Sequence, residues 1–228
     1  MSFIINPYVH PTDPFAGQVL LWIKGNGAND STNITDESGK NVPLTIYSPT
    51  KISTAQSING GSSILFGGGY IGTPAASGDL RFTTQSFTWE TWVYPTSLNF
   101  YGNSVISTAR SNSGNFGHFL QIKPDAIWFR DWLNLTGAVF NGTITVNTWY
   151  HIACTKNGTT ARIWVNGVEG TSGQFTATNT PHSEFQIGRS YNDSGFAPVF
   201  QGYQQAIRIT SGLRYTTNFN PLTDTYLF

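Results

Sequence analysis

The sequence predicts an all-β protein, built as a sandwich of two antiparallel sheets with jelly-roll connectivity. Apolar and polar residues alternate over many short segments, and turn residues, including 24 glycines, separate these segments. Aromatic residues make up 14% of the chain and charged residues 11%, a composition that excludes a disordered protein. The 228 residues fit one sandwich domain at residues 18–228, preceded by an arm at residues 1–17.

The first 17 residues of the chain contain Pro7, Pro11 and Pro14. They predict an extended arm, because proline fixes φ and has no backbone N–H to donate. Residues 18–23 are apolar on both faces, which predicts a central strand covered on both sides. Residues 82–94 carry bulky side chains on both faces and are also predicted to lie between two layers. Between these two strands, the alternation predicts a long polar loop and then short strands at residues 42–47, 52–56, 63–66 and 70–71.

The second half of the chain is organised around a three-stranded meander at residues 149–170. Asn157-Gly158 and Asn166-Gly167 interrupt its alternating runs, and Asn-Gly predicts a two-residue hairpin turn because both residues tolerate a positive φ. We expect the tail, residues 214–228, to pack on the sandwich. The remaining predicted strands lie at residues 104–108, 119–123, 126–131, 138–145, 184–189 and 203–210.

Four segments resemble a laminin-G-like domain of the concanavalin A-like lectin/glucanase group. They are WYHIACTKNG with the following VNG at residues 149–167, SFTWETWVYP at 86–95, FQIGR at 185–189 and QAIRIT at 205–210. The resemblance implies the same two-sheet sandwich over nearly the whole chain. It does not fix a function, because this fold carries lectins, hydrolases and structural modules alike.

The segment IRITSGLRYTTNFNPLTD at residues 207–224 resembles the C-terminal edge of laminin-G-like modules in bacteriophage virion proteins. The resemblance implies a non-enzymatic virion surface module, such as a fibre, spike or capsid-decorating protein, that serves adhesion or host-surface glycan binding. The alternatives are a glycan hydrolase or lyase of the same fold, and a bacterial surface adhesin. An adhesin should carry a secretion signal, which MSFIINPYVH does not resemble. We therefore expect synthesis in a host cytoplasm and localisation in the virion.

Charge and hydropathy exclude further classes of function. The 12 basic and 12 acidic residues are scattered, and the absence of a basic run argues against nucleic-acid binding. No apolar run approaches the ~20 residues of a membrane span, so no membrane insertion is expected. Cys154 is the single cysteine, and its place in an alternating strand predicts a buried, inert thiol.

The acidic residues do not form the pair that glycoside hydrolysis requires. Most such enzymes use two carboxylates about 5–10 Å apart. In the strand that carries this pair in glucanases of the fold, Glu90 stands alone between Thr88 and Trp92. We expect Glu90 to be a structural carboxylate paired with an arginine, and the protein not to be an enzyme.

Sugar binding requires exposed aromatic faces beside amides or carboxylates. Three such groups are candidates, with local packing or contact with a neighbouring subunit as the alternative role for their aromatic rings. The candidate residues are Tyr101 with Asn103, Trp132 with Asn134, and Tyr191 with Asn192 and Asp193.

Calcium is the one metal ion that the sequence allows, and no other cofactor is expected. Ca²⁺ takes six to eight oxygen ligands, and Asn26, Asp30 and Asp36 offer side-chain oxygens in the long polar loop. The spacing does not fit an EF-hand, since Ile34 stands at the fifth position counted from Asp30. The alternative is an ordinary loop whose Asn and Asp side chains bond to its own backbone.

The two ends of the chain carry apolar clusters that a folded monomer rarely leaves in water. We expect these arms to contact other virion subunits and to support a homo-oligomer, with a trimer as the first expectation because virion fibres commonly have cyclic symmetry. The clusters are Phe3, Ile4, Ile5 and Tyr8 at one end and Tyr226, Leu227 and Phe228 at the other.

Overall fold

The structure is a computed structural model that describes residues 13–74, 80–82, 84–108, 117–132, 134–175, 184–190 and 199–223. Within these residues the regular structure is almost entirely β, with 3₁₀ helices at Ala16–Gln18 and Pro221–Thr223. No helix in this part of the chain is long and apolar enough to cross a membrane. The strands are β1 Val19–Ile23, β2 Thr45–Tyr47, β3 Lys51–Ser53, β4 Ser63–Gly67, β5 Tyr70–Pro74, β6 Phe87–Pro95, β7 Asn103–Ser107, β8 His118–Ile122, β9 Ala126–Asp131, β10 Gly137–Asn141, β11 Tyr150–Asn157, β12 Thr160–Val165, β13 Val168–Glu169, β14 Gly173–Gln174, β15 Glu184–Ile187 and β16 Gln201–Ser211.

The strands form two antiparallel sheets, which confirms the predicted sandwich. The nine-stranded sheet has the order β13-β12-β11-β6-β16-β4-β3, with β14 paired to β12 and β1 paired to β16. The seven-stranded sheet has the order β10-β9-β8-β7-β15-β5-β2. Sequence neighbours are often separated in this order, so residues far apart in the chain become neighbours on one face.

The core lies between the sheets, where alternate side chains of both sheets meet. Trp89 of β6 packs its ring 5.5 Å from Phe129 and 5.6 Å from Phe185, which belong to the opposite sheet. Cys154 is fully buried and free, as predicted, and burial raises the pKa of its thiol well above the usual value. The core thiol is therefore protonated and unreactive.

One polar ring also belongs to the core. The His118 imidazole stacks 4.2 Å from the ring of Phe175. Burial, helped by the charge of Lys156 and opposed by that of Asp131, lowers the pKa of His118 to about 3. His118 is therefore neutral at physiological pH and packs like an aromatic side chain.

The central meander is confirmed as β11, β12 and β13, but one of its turns differs from the prediction. Asn166 and Gly167 both have positive φ, at 50° and 79°, and form the predicted two-residue turn. In the first hairpin Asn157 pairs with Thr160, so the turn residues are Gly158 and Thr159. The prediction was wrong by one residue because Asn157 stays in the ladder, where its side chain accepts a hydrogen bond from Ser86.

Several strand predictions were wrong in position or extent. β1 is buried but not central, since its described pairing is with β16 alone. β2 starts at Thr45 instead of residue 42, since Pro43 cannot donate and the N–H of Val42 bonds to Asp36. β10 ends at Asn141 instead of residue 145, because the N–H groups of Gly142 and Ile144 bond to the carbonyls of Asp125 and Pro124 in the preceding turn. β6 begins at Phe87 instead of residue 82.

The outer face of the nine-stranded sheet is covered by the C-terminal strap, residues 212–223. Arg214 and the Tyr215 hydroxyl both donate to the buried carboxylate of Glu90 in β6. The Tyr215 ring stacks 3.7 Å from Phe219, whose N–H bonds to the carbonyl of Gly167. These contacts confirm that the tail packs on the sandwich as far as residue 223 and explain the predicted Glu90–arginine pair. The cluster Tyr226, Leu227 and Phe228 lies outside the described residues.

The described end of the N-terminal arm also lies on this face. Arg208 of β16 stands beside Glu90 in the register, and its guanidinium forms a salt bridge with Asp13. The Arg214 guanidinium lies 5.7 Å from the ring of Phe15. These two contacts hold residues 13–17, which form a turn and the start of a 3₁₀ helix, against the sandwich. The apolar cluster of Phe3, Ile4, Ile5 and Tyr8 lies outside the described residues.

Gly167 should be more sensitive to substitution than Gly158, although both occupy hairpin turns. Both have positive φ, so either alanine variant adds backbone strain of about 1–3 kcal/mol. A Cβ at Gly167 would in addition collide with the carbonyl of Phe219 in the strap, while a Cβ at Gly158 meets open space. We expect Gly167→Ala to lower the free energy of unfolding by about 1–3 kcal/mol more than Gly158→Ala does, as measured by urea unfolding. Equal losses would contradict the tight contact between turn and strap.

Glu90 should stabilise the fold in a pH-dependent way. Burial alone would raise the pKa of Glu90, but His151, Arg214 and Tyr215 favour its charged form and lower that pKa to about 2. Because the folded pKa lies below the ordinary value, this stabilisation is complete above about pH 4.5 and is lost as the pH falls towards 2. We expect Glu90→Gln to lower the unfolding free energy at pH 7 by roughly 3 kcal/mol.

The difference between wild type and Glu90→Gln should shrink between pH 4.5 and 2, as measured by urea unfolding at several pH values. Glu169→Gln is the matched control, because Glu169 pairs with Arg162 at 3.2 Å on the surface. Its loss should be small, about 0–1 kcal/mol. If the difference in unfolding free energy between wild type and Glu90→Gln stays constant with pH, the lowered pKa of Glu90 is contradicted.

Candidate functional site

The outer face of the seven-stranded sheet carries aromatic and cationic side chains on its central strands. In β9, Ile127 and Phe129 point into the core, so Trp128 and Arg130 point outward. Across the ladder, Gln121 of β8 pairs with Trp128 and Phe119 of β8 pairs with Arg130. The strand register therefore places these four side chains on one outer surface.

The loop between β6 and β7 presents two aromatic rings beside this surface. Phe100 is 70% exposed and Tyr101 is 73% exposed. Asn99 accepts the N–H of Tyr101, and the buried side chain of Asn103 accepts the N–H of Asn99 at 2.7 Å and donates to the carbonyl of Val199 at 3.0 Å. Asn103 thus holds the loop in place, and Tyr101 stands at its exposed tip.

A glycine seats this loop on the sheet. Gly102 has a φ of +92°, and a Cβ there would lie 2.9 Å from Oε1 of Gln121. The Nε2 of Gln121 donates to Ser104 at 3.2 Å, which fixes the glutamine beneath the loop. The close approach brings Phe100 and Tyr101 down to the level of the β8 and β9 side chains.

Two cations flank the indole of Trp128. The Lys123 ammonium lies 3.9 Å from the Trp128 ring and 4.9 Å from the Phe100 ring, and the Arg130 guanidinium lies 3.9 Å from the Trp128 ring. The Lys123 side chain is only 8% exposed, and Asp125 lies 3.8 Å from it. Burial lowers the pKa of Arg130, but an arginine stays charged at neutral pH. Cation–π attraction therefore orders this part of the surface.

Trp132 marks the far end of the same surface. Its ring packs edge-on against the ring of Phe119, with 4.8 Å between the ring centres. The exposed Asn134 follows, and its backbone N–H donates to the Asp131 carboxylate at 2.8 Å. Trp132 contacts Phe119 in β8, and the Phe100 ring lies near Lys123, which directly follows β8. Phe119 and Lys123 are four residues apart, which corresponds to roughly 13 Å along an extended chain. We call the whole set the aromatic–cation row. Its members are Tyr101, Phe100, Lys123, Trp128, Arg130 and Trp132.

The structure thus brings two of the three predicted aromatic groups to one face. Tyr191, Asn192 and Asp193 lie outside the described residues. Sequence reasoning missed Trp128 and Arg130, although their alternation with Ile127 and Phe129 was available as a signal. It also missed Phe100 and Lys123, whose proximity to Trp128 depends on loop packing and strand register.

Two of the three residues predicted for calcium bond to other groups of the protein. The Asp36 carboxylate accepts hydrogen bonds from the N–H groups of Trp22, Ser38 and Val42 and from the Ser38 hydroxyl. Asp30 pairs with Lys51, and Asn26 is exposed. No group of three or more His, Cys, Asp or Glu side chains suited to a metal occurs within the described part of the chain. Calcium binding at this loop remains a prediction.

Glu90, predicted from the sequence to be a structural carboxylate, lies on the face opposite the aromatic–cation row. Its side chain is fully buried beneath the C-terminal strap and is bonded to Arg214 and Tyr215. A substrate at the row would lie across the whole thickness of the sandwich from this carboxylate.

Comparison with solved structures finds the same fold in a domain of an arabinanase and in the binding domains of toxins. Domain 4 of AbnA, a GH43 extracellular arabinanase from Geobacillus stearothermophilus solved in complex with arabinotriose, is 19% identical, with a TM-score of 0.62 over 92% of this chain and 98% of that domain. The binding domain of Paraclostridial Mosquitocidal Protein 1 is 16% identical, with a TM-score of 0.56 over 90% of this chain and 50% of that one. The botulinum neurotoxin serotype D binding domain is 14% identical, with a TM-score of 0.59 over 88% and 50%.

The chain spans about half the length of the two toxin binding domains. Identities this low establish the shared fold only. No curated protein sequence matches the chain. A model of the laminin-G type, described as the concanavalin A-like lectin/glucanases superfamily, matches residues 66–214. With the two-sheet antiparallel sandwich, this match shows that the chain belongs to the concanavalin A-like lectin/glucanases superfamily.

Proposed function

We propose that the protein is a non-enzymatic glycan-binding module and that the aromatic–cation row contacts the saccharide. The observation that carries this proposal is the row itself. The exposed rings of Tyr101 and Phe100 and the partly buried ring of Trp132 can pack against the apolar faces of sugars, and the polar groups between them can bond to sugar substituents. Rings placed along both ends of β8, which are roughly 13 Å apart by strand geometry, suit an oligosaccharide better than a single sugar.

The contacts of Glu90 support a binding role over catalysis. A glycan hydrolase of this fold would need a pair of carboxylates beside the bound sugar. Glu90 is instead committed to Arg214 and Tyr215 on the opposite face, while Asp125 beside the row lies against Lys123. The arabinotriose bound by the AbnA domain and the binding role of the toxin domains are consistent with this proposal.

We further propose that the module is displayed on a virion, as a fibre, spike or capsid-decorating protein made in a host cytoplasm. The described ends of both termini lie on the outer face of the nine-stranded sheet, opposite the row. This arrangement suits attachment through the terminal segments, with the glycan-binding face turned outward. Contact with like copies, with a trimer as the first expectation, belongs to the same proposal.

The resemblance to virion modules rests on residues that have a structural role in this chain. Arg214 and Tyr215 bind Glu90, Phe219 stacks on Tyr215, and Asn218 accepts the N–H of Glu169. These residues fasten the strap, so they support the family directly and the virion setting only through the resemblance. A bacterial surface adhesin would use the same binding face and differs in its location.

Tyr101→Ala and Trp132→Ala should weaken glycan binding at least tenfold, because each removes a ring that can cover a sugar face. The measurement is retention on a printed glycan microarray, followed by titration of the glycan that binds best. Leu222→Ala is the matched control, since Leu222 is 71% exposed but lies on the strap of the opposite face. The bound glycan should be recovered uncleaved. Failure of the wild-type protein to retain any glycan would overturn the proposal.

Removal of residues 1–12 should abolish incorporation into phage particles while leaving the melting temperature unchanged. The deletion stops before Asp13, because losing that carboxylate would take a partner from the buried Arg208 guanidinium and destabilise the fold. The measurements are mass in solution and mass spectrometry of purified virions, with Asp13→Asn in the full chain as the stability control. If the truncated chain enters particles as well as the full chain, the arm is not the attachment segment. If the full-length protein fractionates with cell envelopes instead, the adhesin alternative gains support.

A further inference from the structure

We propose that the aromatic–cation row selects acidic saccharides, with a carboxylate or sulfate of the glycan bound at Arg130 beside Trp128. This inference rests on the proposed glycan-binding function and concerns its ligand class. It follows from the position of the two cations, from their incomplete neutralisation and from the part that Trp128 plays between them.

The Trp128 indole is already engaged by two cations. Lys123 approaches its ring to 3.9 Å, and Arg130 approaches it to the same distance. Trp128 therefore helps to hold both positive charges in place. On either side of the cations, Tyr101 and Phe100 offer exposed rings, although Lys123 also approaches the Phe100 ring to 4.9 Å, and Trp132 offers a partly buried one.

The positive charge of the row is only partly compensated. Asp125 is the carboxylate paired with Lys123, at 3.8 Å, and its own side chain is 68% exposed. No carboxylate forms an ion pair with Arg130 within the described residues. The local sum of Lys123, Arg130 and Asp125 is one positive charge, although the whole chain has a net charge of zero. An anion would thus be drawn to this site specifically and not to the protein surface in general.

Partial burial strengthens the preference for an anion. Lys123 is 6% exposed as a residue, so little water screens its ammonium. A guanidinium offers a planar fork of donors that matches a carboxylate or a sulfate and binds either with two parallel hydrogen bonds. The neutral Gln121 and Ser104 beneath the loop add no negative charge to oppose such a ligand.

Matched pairs of polysaccharides test the inference. We would measure binding to polygalacturonate and to its fully methyl-esterified form, and to dextran sulfate and dextran, by affinity electrophoresis. The wild-type protein should bind at least one charged member tenfold or more tightly than its uncharged partner. The pair that shows the preference identifies carboxylate or sulfate as the bound group. The preference should weaken as the salt concentration rises.

Arg130→Gln should reduce the charged-over-uncharged ratio to near one, and Arg130→Lys should retain part of it because the charge remains without the fork. Lys24→Gln is the control for net charge, since the Lys24 ammonium also lies over a tryptophan, 4.3 Å from the Trp22 ring, but pairs with Glu37 and lies on the other sheet. It should leave the ratio unchanged.

Two results would overturn the inference while leaving the proposed function intact. One is that the wild-type protein retains a glycan on the microarray but binds charged and uncharged polysaccharides equally well. The other is a loss in Lys24→Gln as large as that in Arg130→Gln, which would indicate unspecific attraction. A wild-type protein that retains no glycan on the microarray would instead overturn the proposed function, and the inference with it.

Discussion

The buried carboxylate of Glu90 is the interaction on which the arrangement of the molecule depends. It sits in β6, at the middle of the nine-stranded sheet, where an unpaired charge would be strongly unfavourable. Arg214 and Tyr215 compensate it, and in doing so they fix the C-terminal strap across the outer face of the sheet. Since the strap covers this face, the described ends of the chain and the aromatic–cation row lie on opposite sides of the sandwich.

The alternation of side chains within each strand allows one strand both to fill the core and to shape an outer face. Every residue that fills the core leaves its neighbours to one outer face, so a single strand serves packing and surface chemistry at once. In β9 the inward residues Ile127 and Phe129 stabilise the fold, while Trp128 and Arg130 shape the aromatic–cation row. The rigid sheet thus positions the cations, and the Asn99–Asn103 loop adds exposed rings at its edge.

The fold and several of its details could be predicted from sequence alone, because they depend on local physics. Period-two alternation, Asn-Gly turns and the scarcity of helical patterns specify an antiparallel sandwich whatever its partners. The same local reasoning found the exposed Tyr101 and expected an arginine partner for Glu90. It misplaced the first meander turn by one residue, since both Asn157-Gly158 and Gly158-Thr159 can provide a positive φ at the bend.

Long-range pairing decided the rest. The partner of Glu90 is Arg214, 124 residues away, and no local pattern identifies which arginine reaches it. Asp36 was predicted as a calcium ligand because its side chain offers oxygens. In the structure its carboxylate accepts hydrogen bonds from three backbone N–H groups and a hydroxyl, and the long-range ones depend on the fold. Phe100 comes from a loop, Lys123 directly follows β8 and Trp128 lies in β9. They become neighbours only because the register of β8 and β9 and the close approach of Gly102 to Gln121 bring them together. The sequence by itself determined which residues alternate and where the chain turns, whereas the tertiary structure decided which side chains share a face, because strand order and register are set by packing of the whole core.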